Sequence, residues 1–196
     1  MSKGTETRNR IITKAAALFN RKGYEGCSMQ DIVEAVGLEK GSLYGHFRNK
    51  EELAVAAFRF AWGETSTTRI AGMDKVDHAI DKLRLHVRNA VASPSFSGGC
   101  PLLNTIVDSD DGNSILKREA RAALKGWRNY LEGIVRVGQS RGEVRADIAP
   151  ESVVSVLISL LEGAMLLDRV DRPAGNLKVV KEHIGGWIDS LAVQSH

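Results

Sequence analysis

Between Ser28 and Lys50 the chain concentrates side chains that donate hydrogen bonds to phosphates and base edges. Lys40 reaches a guanine edge or a phosphate, and Ser42 donates to either. Tyr44 offers a hydroxyl for phosphate and a ring for a thymine methyl, and His46 donates to phosphate. Gly41 carries no side chain, so the backbone there can approach a groove closely. Lys50 and Ser28 sit where helices begin, so side chain and backbone N–H groups converge on one anion. This is chemistry for a DNA duplex.

Two short helices must position these groups. Ser28 is an N-cap, with Asp31 its capping-box partner three residues on. Ile32 and Val33 give the first helix a buried face, and Gly37 supplies the left-handed turn that ends it. A second helix begins near Leu38 or Glu39 and stops before Asn49. Two such helices across a glycine turn make a helix-turn-helix at about 28–47, the second helix lying in the major groove. Leu43 and Phe47, apolar at helical spacing, are expected to pack inward.

Around this pair the apolar spacing predicts an all-α protein of about nine helices. A first helix runs from Thr5 to Lys22 on Ile11, Ile12, Ala15, Leu18 and Phe19. Asn49 caps another that carries Leu53, Ala56, Ala57 and Phe60 and fades near Gly63. An N-terminal helix-turn-helix three-helix unit with its following helix therefore fills residues 1–63, and a helical body fills 64–196. Thr65 to Met73 reads as less regular. Further helices are expected over Asp74–Ala92, from Cys100-Pro101, over Asn113–Arg141, from Pro150, and over Gly175–Ala192. The helix from Pro150 is apolar on nearly every side (Val153, Val154, Val156, Leu157, Ile158, Leu160, Leu161, Met165, Leu166, Leu167). It needs burial on more than one face. Paired with the last helix it would make a four-helix bundle with a second copy.

Composition narrows the function. The 196 residues are 43% hydrophobic and 26% charged, as in an ordinary globular protein. Net charge is +3, from 27 Lys/Arg against 24 Asp/Glu; residues 1–60 hold ten against seven, and the rest hold seventeen of each. The excess thus lies in the segment with the helix-turn-helix pattern. The polar N-terminus lacks the apolar core of a signal peptide, and no apolar run spans a membrane. With two cysteines, Cys27 and Cys100, and no disulfide framework, a cytoplasmic protein is expected. No nucleophile elbow, phosphate loop, catalytic carboxylate pair or metal-spaced His/Cys cluster is present, so neither an enzyme nor a metal or cofactor site is expected.

The N-terminal segment resembles the DNA-binding domain of the TetR (tetracycline repressor-like) family of bacterial transcription regulators. Ala16, Leu18-Phe19, Gly23-Tyr24, Ser28-Met29-Gln30-Asp31-Ile32 and Ala35-Val36-Gly37-Leu38 carry the resemblance, with Lys40-Gly41-Ser42-Leu43-Tyr44, His46-Phe47 and Asn49-Lys50-Glu51-Glu52-Leu53. They run in unbroken order through residues 16–53. Gly98-Gly99-Cys100-Pro101-Leu102-Leu103-Asn104 resembles a segment of some members. Two positions depart from the pattern. Gly45 stands where an aromatic or polar side chain is common, which removes one possible DNA contact, and Cys27 stands where threonine or alanine is ordinary.

The resemblance implies a dimeric repressor, released from a near-palindromic double-stranded operator when a small-molecule effector binds the body. DNA contact is then expected from Ser28, Lys40, Gly41, Ser42, Tyr44, His46 and Lys50. Effector contact is expected among Trp62, His86, Phe96, Cys100, Trp127, Tyr130, Glu162 and Met165, an apolar set with few polar anchors. Glu162 would hold a cationic effector or pair across the dimer. Three alternatives stand beside this reading. One is an activator. A second is a thiol sensor, with Cys100 activated at a helix start. The third, a non-specific DNA binder, usually carries a larger basic excess than +3.

Overall fold

A computed structural model describes residues 2–92, 96–110, 112–171 and 175–194. Among these, nine α-helices and one 3-10 turn (Met73–Lys75) follow one another. The helices are α1 Lys3–Lys22, α2 Met29–Val36, α3 Lys40–His46, α4 Lys50–Ile70, α5 Ala79–Ala92, α6 Pro101–Asp108, α7 Ser114–Ser140, α8 Pro150–Val170 and α9 Asn176–Ser190. The β-pairing among the described residues is one bridge, Val144 with Ala192. The all-α expectation is met. Two compact units form, residues 1–65 with 95–123 and residues 66–94 with 124–196.

In the first unit, α1, α2, α3 and α4 enclose a core of Ile11, Ile12, Ala15, Leu18, Cys27, Ile32, Leu43, Phe47, Leu53 and Ala57. Ser28 and Asp31 form both halves of a capping box at the start of α2. Gly37 ends that helix at φ 68°, donating its N–H to Val33 and Glu34. Asn49 caps α4, its Oδ1 accepting the Glu52 N–H at 2.8 Å. Residues 96–123 of the same unit are tied to the end of α1. Asn20 Nδ2 donates to the Ser97 and Gly99 carbonyls at 3.0 Å each, while Asn104 Nδ2 donates to Asn20 Oδ1 at 2.9 Å and the Gly98 carbonyl at 2.9 Å. Gly98, at φ +102°, is fixed by this packing, since a Cβ there would lie 2.6 Å from the Asn20 carbonyl oxygen.

In the second unit α9 packs on α8 and α5. The buried face of α8 is Val153, Val154, Leu157, Ile158, Leu161 and Ala164, and that of α9 is Ile184 and Ile188. The Asp168 carboxylate caps α9 by accepting the N–H groups of Gly175, Asn176 and Leu177. Glu143 caps α5 through the Ala79 N–H at 2.7 Å.

Several helix boundaries differ from the sequence expectation, three of them for a visible reason. α1 begins at Lys3 rather than Thr5, because Ser2 caps it through the Thr5 N–H. α4 does not fade at Gly63 but runs to Ile70, so the stretch read as less regular is largely helix. Glycine inside a helix costs about 1 kcal/mol, and burial at four-residue intervals (Ala57, Ala61, Thr65, Arg69) outweighs it. Asn89 then covers the last carbonyls, donating to Arg69 and Ala71. α5 starts at Ala79 rather than Asp74, because the turn at Gly72 and the 3-10 turn occupy the residues before it.

Candidate nucleic-acid interface and effector cluster

On α3 the side chains sort by face. Leu43 is wholly buried and so is Phe47 just beyond the helix, as expected of core residues. Lys40, Gly41, Ser42, Tyr44 and Gly45 are exposed, and His46 is half-buried. Tyr44 is 44% exposed, a large ring held in solvent on a seven-residue helix. Cβ positions built at Gly41 and Gly45 meet nothing within 4 Å, so one strip of the outer face is bare backbone. Lys50 opens α4 with its ammonium 4.2 Å from the centre of the Tyr24 ring. That cation–π contact fixes the direction of a cation at a helix start. Tyr24, the residue sequence reasoning missed here, is thereby a positioning group for Lys50. The Ser28 hydroxyl is engaged with Asp31 in the capping box. Asp31 also pairs with Lys22 at 2.5 Å, and these contacts hold its carboxyl well below the usual carboxylate range.

In the second unit, four of the effector candidates gather around a residue that was not among them. Arg69, 4% exposed, lays its guanidinium 4.4 Å from the centre of the Trp127 ring. Its Nη2 donates to Glu162 Oε1 at 3.0 Å and lies 3.7 Å from Met165 Sδ. Trp127 Nε1 donates to His86 Nε2 at 3.1 Å. Glu162 therefore pairs within its own chain. His86 is fully buried, and burial first, then the Arg69 charge, push it down to about 3, partly opposed by the Arg69 carbonyl. The imidazole is neutral, and since Nε2 accepts from Trp127 the ring proton sits on Nδ1. Nδ1 is buried, and the Arg69 carbonyl is the acceptor beside it.

The other candidates lie elsewhere. Tyr130 stands exposed one turn beyond Trp127. Trp62, Phe96 and Cys100 belong to the first unit. Phe96 meets Phe60 edge-on at 6.1 Å and packs on the core of that unit. Cys100 is buried at the N-cap of α6 and is in no disulfide. Among the described residues no group of His, Cys, Asp or Glu is set out to hold a metal ion.

Two family models match the chain. The family described as "Bacterial regulatory proteins, tetR family" matches residues 11–57, and "Tetracyclin repressor-like, C-terminal domain" matches residues 72–184, more than half of the chain. The chain belongs to the TetR family. A TetR transcriptional regulator from Chloroflexus aurantiacus superposes with a TM-score of 0.93 at 36% identity, over 100% of both chains. The HTH-type transcriptional regulator TtgR of Pseudomonas putida is 30% identical over 85% of this chain and 84% of its own. The HTH-type transcriptional repressor DhaR of a Mycobacterium strain is 25% identical over 86% and 85%. As a TetR-family member the chain is a DNA-binding transcriptional regulator, and the proteins it matches are regulators rather than enzymes. Among the described residues no helix is long and apolar enough to cross a membrane.

Proposed function

We propose that the protein is a dimeric repressor that leaves a near-palindromic operator when a small molecule reaches the second unit. The observation that carries the DNA side is the outer face of α3. Lys40, Ser42 and Tyr44 stand exposed beside the bare backbone of Gly41, as a helix seated in a major groove requires. Lys50, aimed by Tyr24, takes a flanking phosphate. Residues 1–63 form the DNA-binding part and 64–196 the effector and dimer part, in this reading.

Dimerisation is supported by α8 and α9. Val156, Leu166, Leu167 and Val170 on α8 and Val179 on α9 remain exposed, Val170 at 76% and Val179 at 66%. A second copy covers such a surface by forming a four-helix bundle. The effector reading is supported by the buried polar cluster of Arg69, His86, Trp127 and Glu162, which is costly for a purely structural core. A titration against pooled genomic fragments in excess unrelated duplex tests the function. A few fragments are expected to be retained and then released by a cognate small molecule; uniform loss to the competitor would refute the reading.

A further inference from the structure

Lys50 takes its direction from Tyr24, and Tyr24 is itself held from outside residues 1–63. Asp108, the last residue of α6, accepts the Tyr24 backbone N–H at 2.6 Å. The approach is close, since a Cβ at Gly23 would lie 2.7 Å from Asp108 Oδ1. Asn113, just before α7, hydrogen-bonds the Tyr24 side chain and donates from Nδ2 to Glu51 Oε2 at 2.7 Å. Phe19 stacks against the Tyr24 ring with centroids 6.1 Å apart. The ring is thus fixed at its backbone, at its hydroxyl and against a second ring, with the Lys50 ammonium 4.2 Å from its centre. All of these residues belong to one compact unit.

Helix capping does not account for either residue. Asn113 Oδ1 caps α7 by accepting the N–H groups of Ile115 and Leu116, which serine or aspartate would do as well. The amide that reaches Glu51 and Tyr24 is what those residues lack. An acid in the last turn of a helix opposes the helix dipole, so Asp108 serves its partner rather than α6. A lysine loses the freedom of its long stem when it grips a phosphate, and a ring that already aims the ammonium reduces that loss. We propose that Asp108 and Asn113 are positioning residues for the Lys50 phosphate contact, acting through the Tyr24 ring they hold. The inference rests on the reading that Lys50 grips a phosphate.

The test uses the full-length protein and a fluorescent random-sequence duplex about three helical turns long, because a phosphate contact does not require the operator. Affinity is titrated at low salt for Asp108→Ala and Asn113→Ser, each with Lys50 intact and each combined with Lys50→Ala. With Lys50 intact, each substitution is expected to weaken binding about threefold to tenfold; combined with Lys50→Ala, less than about twofold. Asp108→Asn keeps an oxygen for the Tyr24 N–H and should restore most of the affinity. Asn113→Ser keeps a cap for α7, so the test stands even if Asp108→Ala folds poorly. Equal losses in both backgrounds would show a merely structural role and overturn the proposal alone, and so would unchanged or tighter binding with Lys50 intact. No loss of affinity from Lys50→Ala by itself would overturn the phosphate reading beneath it.

Discussion

Gly41 separates stability from binding at a single residue. A Cβ at this position meets no protein atom within 4 Å, and helix propensity favours alanine over glycine by about 1 kcal/mol. Gly41→Ala is therefore expected to raise the unfolding midpoint slightly while weakening operator binding, because in the proposed seating of α3 the added methyl stands between its backbone and the groove. Thermal melts paired with DNA titrations check this, and unchanged affinity would place the groove face elsewhere. Lys50→Ala should weaken binding evenly across DNA sequences and lower the salt slope by about one; an unchanged slope removes Lys50 from the phosphate contacts. His86 supplies a pH signature. Its folded pKa, about 3, lies below its ordinary 6.5, so its stabilising contribution is complete above pH 6.5 and is lost as pH falls toward 3. The unfolding midpoint should drop between pH 6.5 and about 4.5, above the range where Asp31 loses its partners, and His86→Gln should flatten that limb. An equal drop in the variant would contradict the assignment.

His86, Trp127, Glu162 and Met165 were legible as candidates because polar or large side chains inside apolar stripes are unusual. Arg69 was not, since an arginine in a stretch read as irregular passes for surface. Its signal was the continuation of the Ala61 and Thr65 spacing by four more residues. The exposed residues of α3 were readable from donor chemistry, whereas the Tyr24–Lys50 contact depends on tertiary packing that spacing does not encode.

At the scale of elements, helix starts were easier to read than connections. The capping box at Ser28, the Asn49 cap and the proline starts of α6 and α8 are local, and they lie where the side-chain chemistry puts them. α4 was misread at Gly63 because a local penalty of about 1 kcal/mol is overridden by burial along the helix. The attachment of the α6 segment to α1 was illegible, because Asn20 and Asn104 are 84 residues apart. Asn104→Ala removes donors to Asn20 and Gly98 and leaves their oxygens short of partners. A loss of about 1–3 kcal/mol is expected in denaturant unfolding, and a loss below 0.5 kcal/mol would show that water replaces the amide.

At the scale of the whole molecule, a single seven-residue recognition helix reads too few base pairs for specificity, and pairing two of them across a dimer is the remedy. In the dimer proposed above, the exposed apolar residues of α8 and α9 supply the surface. Leu167→Glu together with Val170→Glu should convert a dimer into a monomer in equilibrium sedimentation at micromolar concentration; a wild-type monomer there would refute the arrangement. The most direct measurement of the central claim is selection of bound duplexes from random DNA, followed by sequencing. An enriched near-palindrome, its half-sites about 34–36 Å or one helical turn apart, is the predicted result. Binding without an enriched motif, or none at low salt, would contradict a specific dimeric regulator reading DNA through α3.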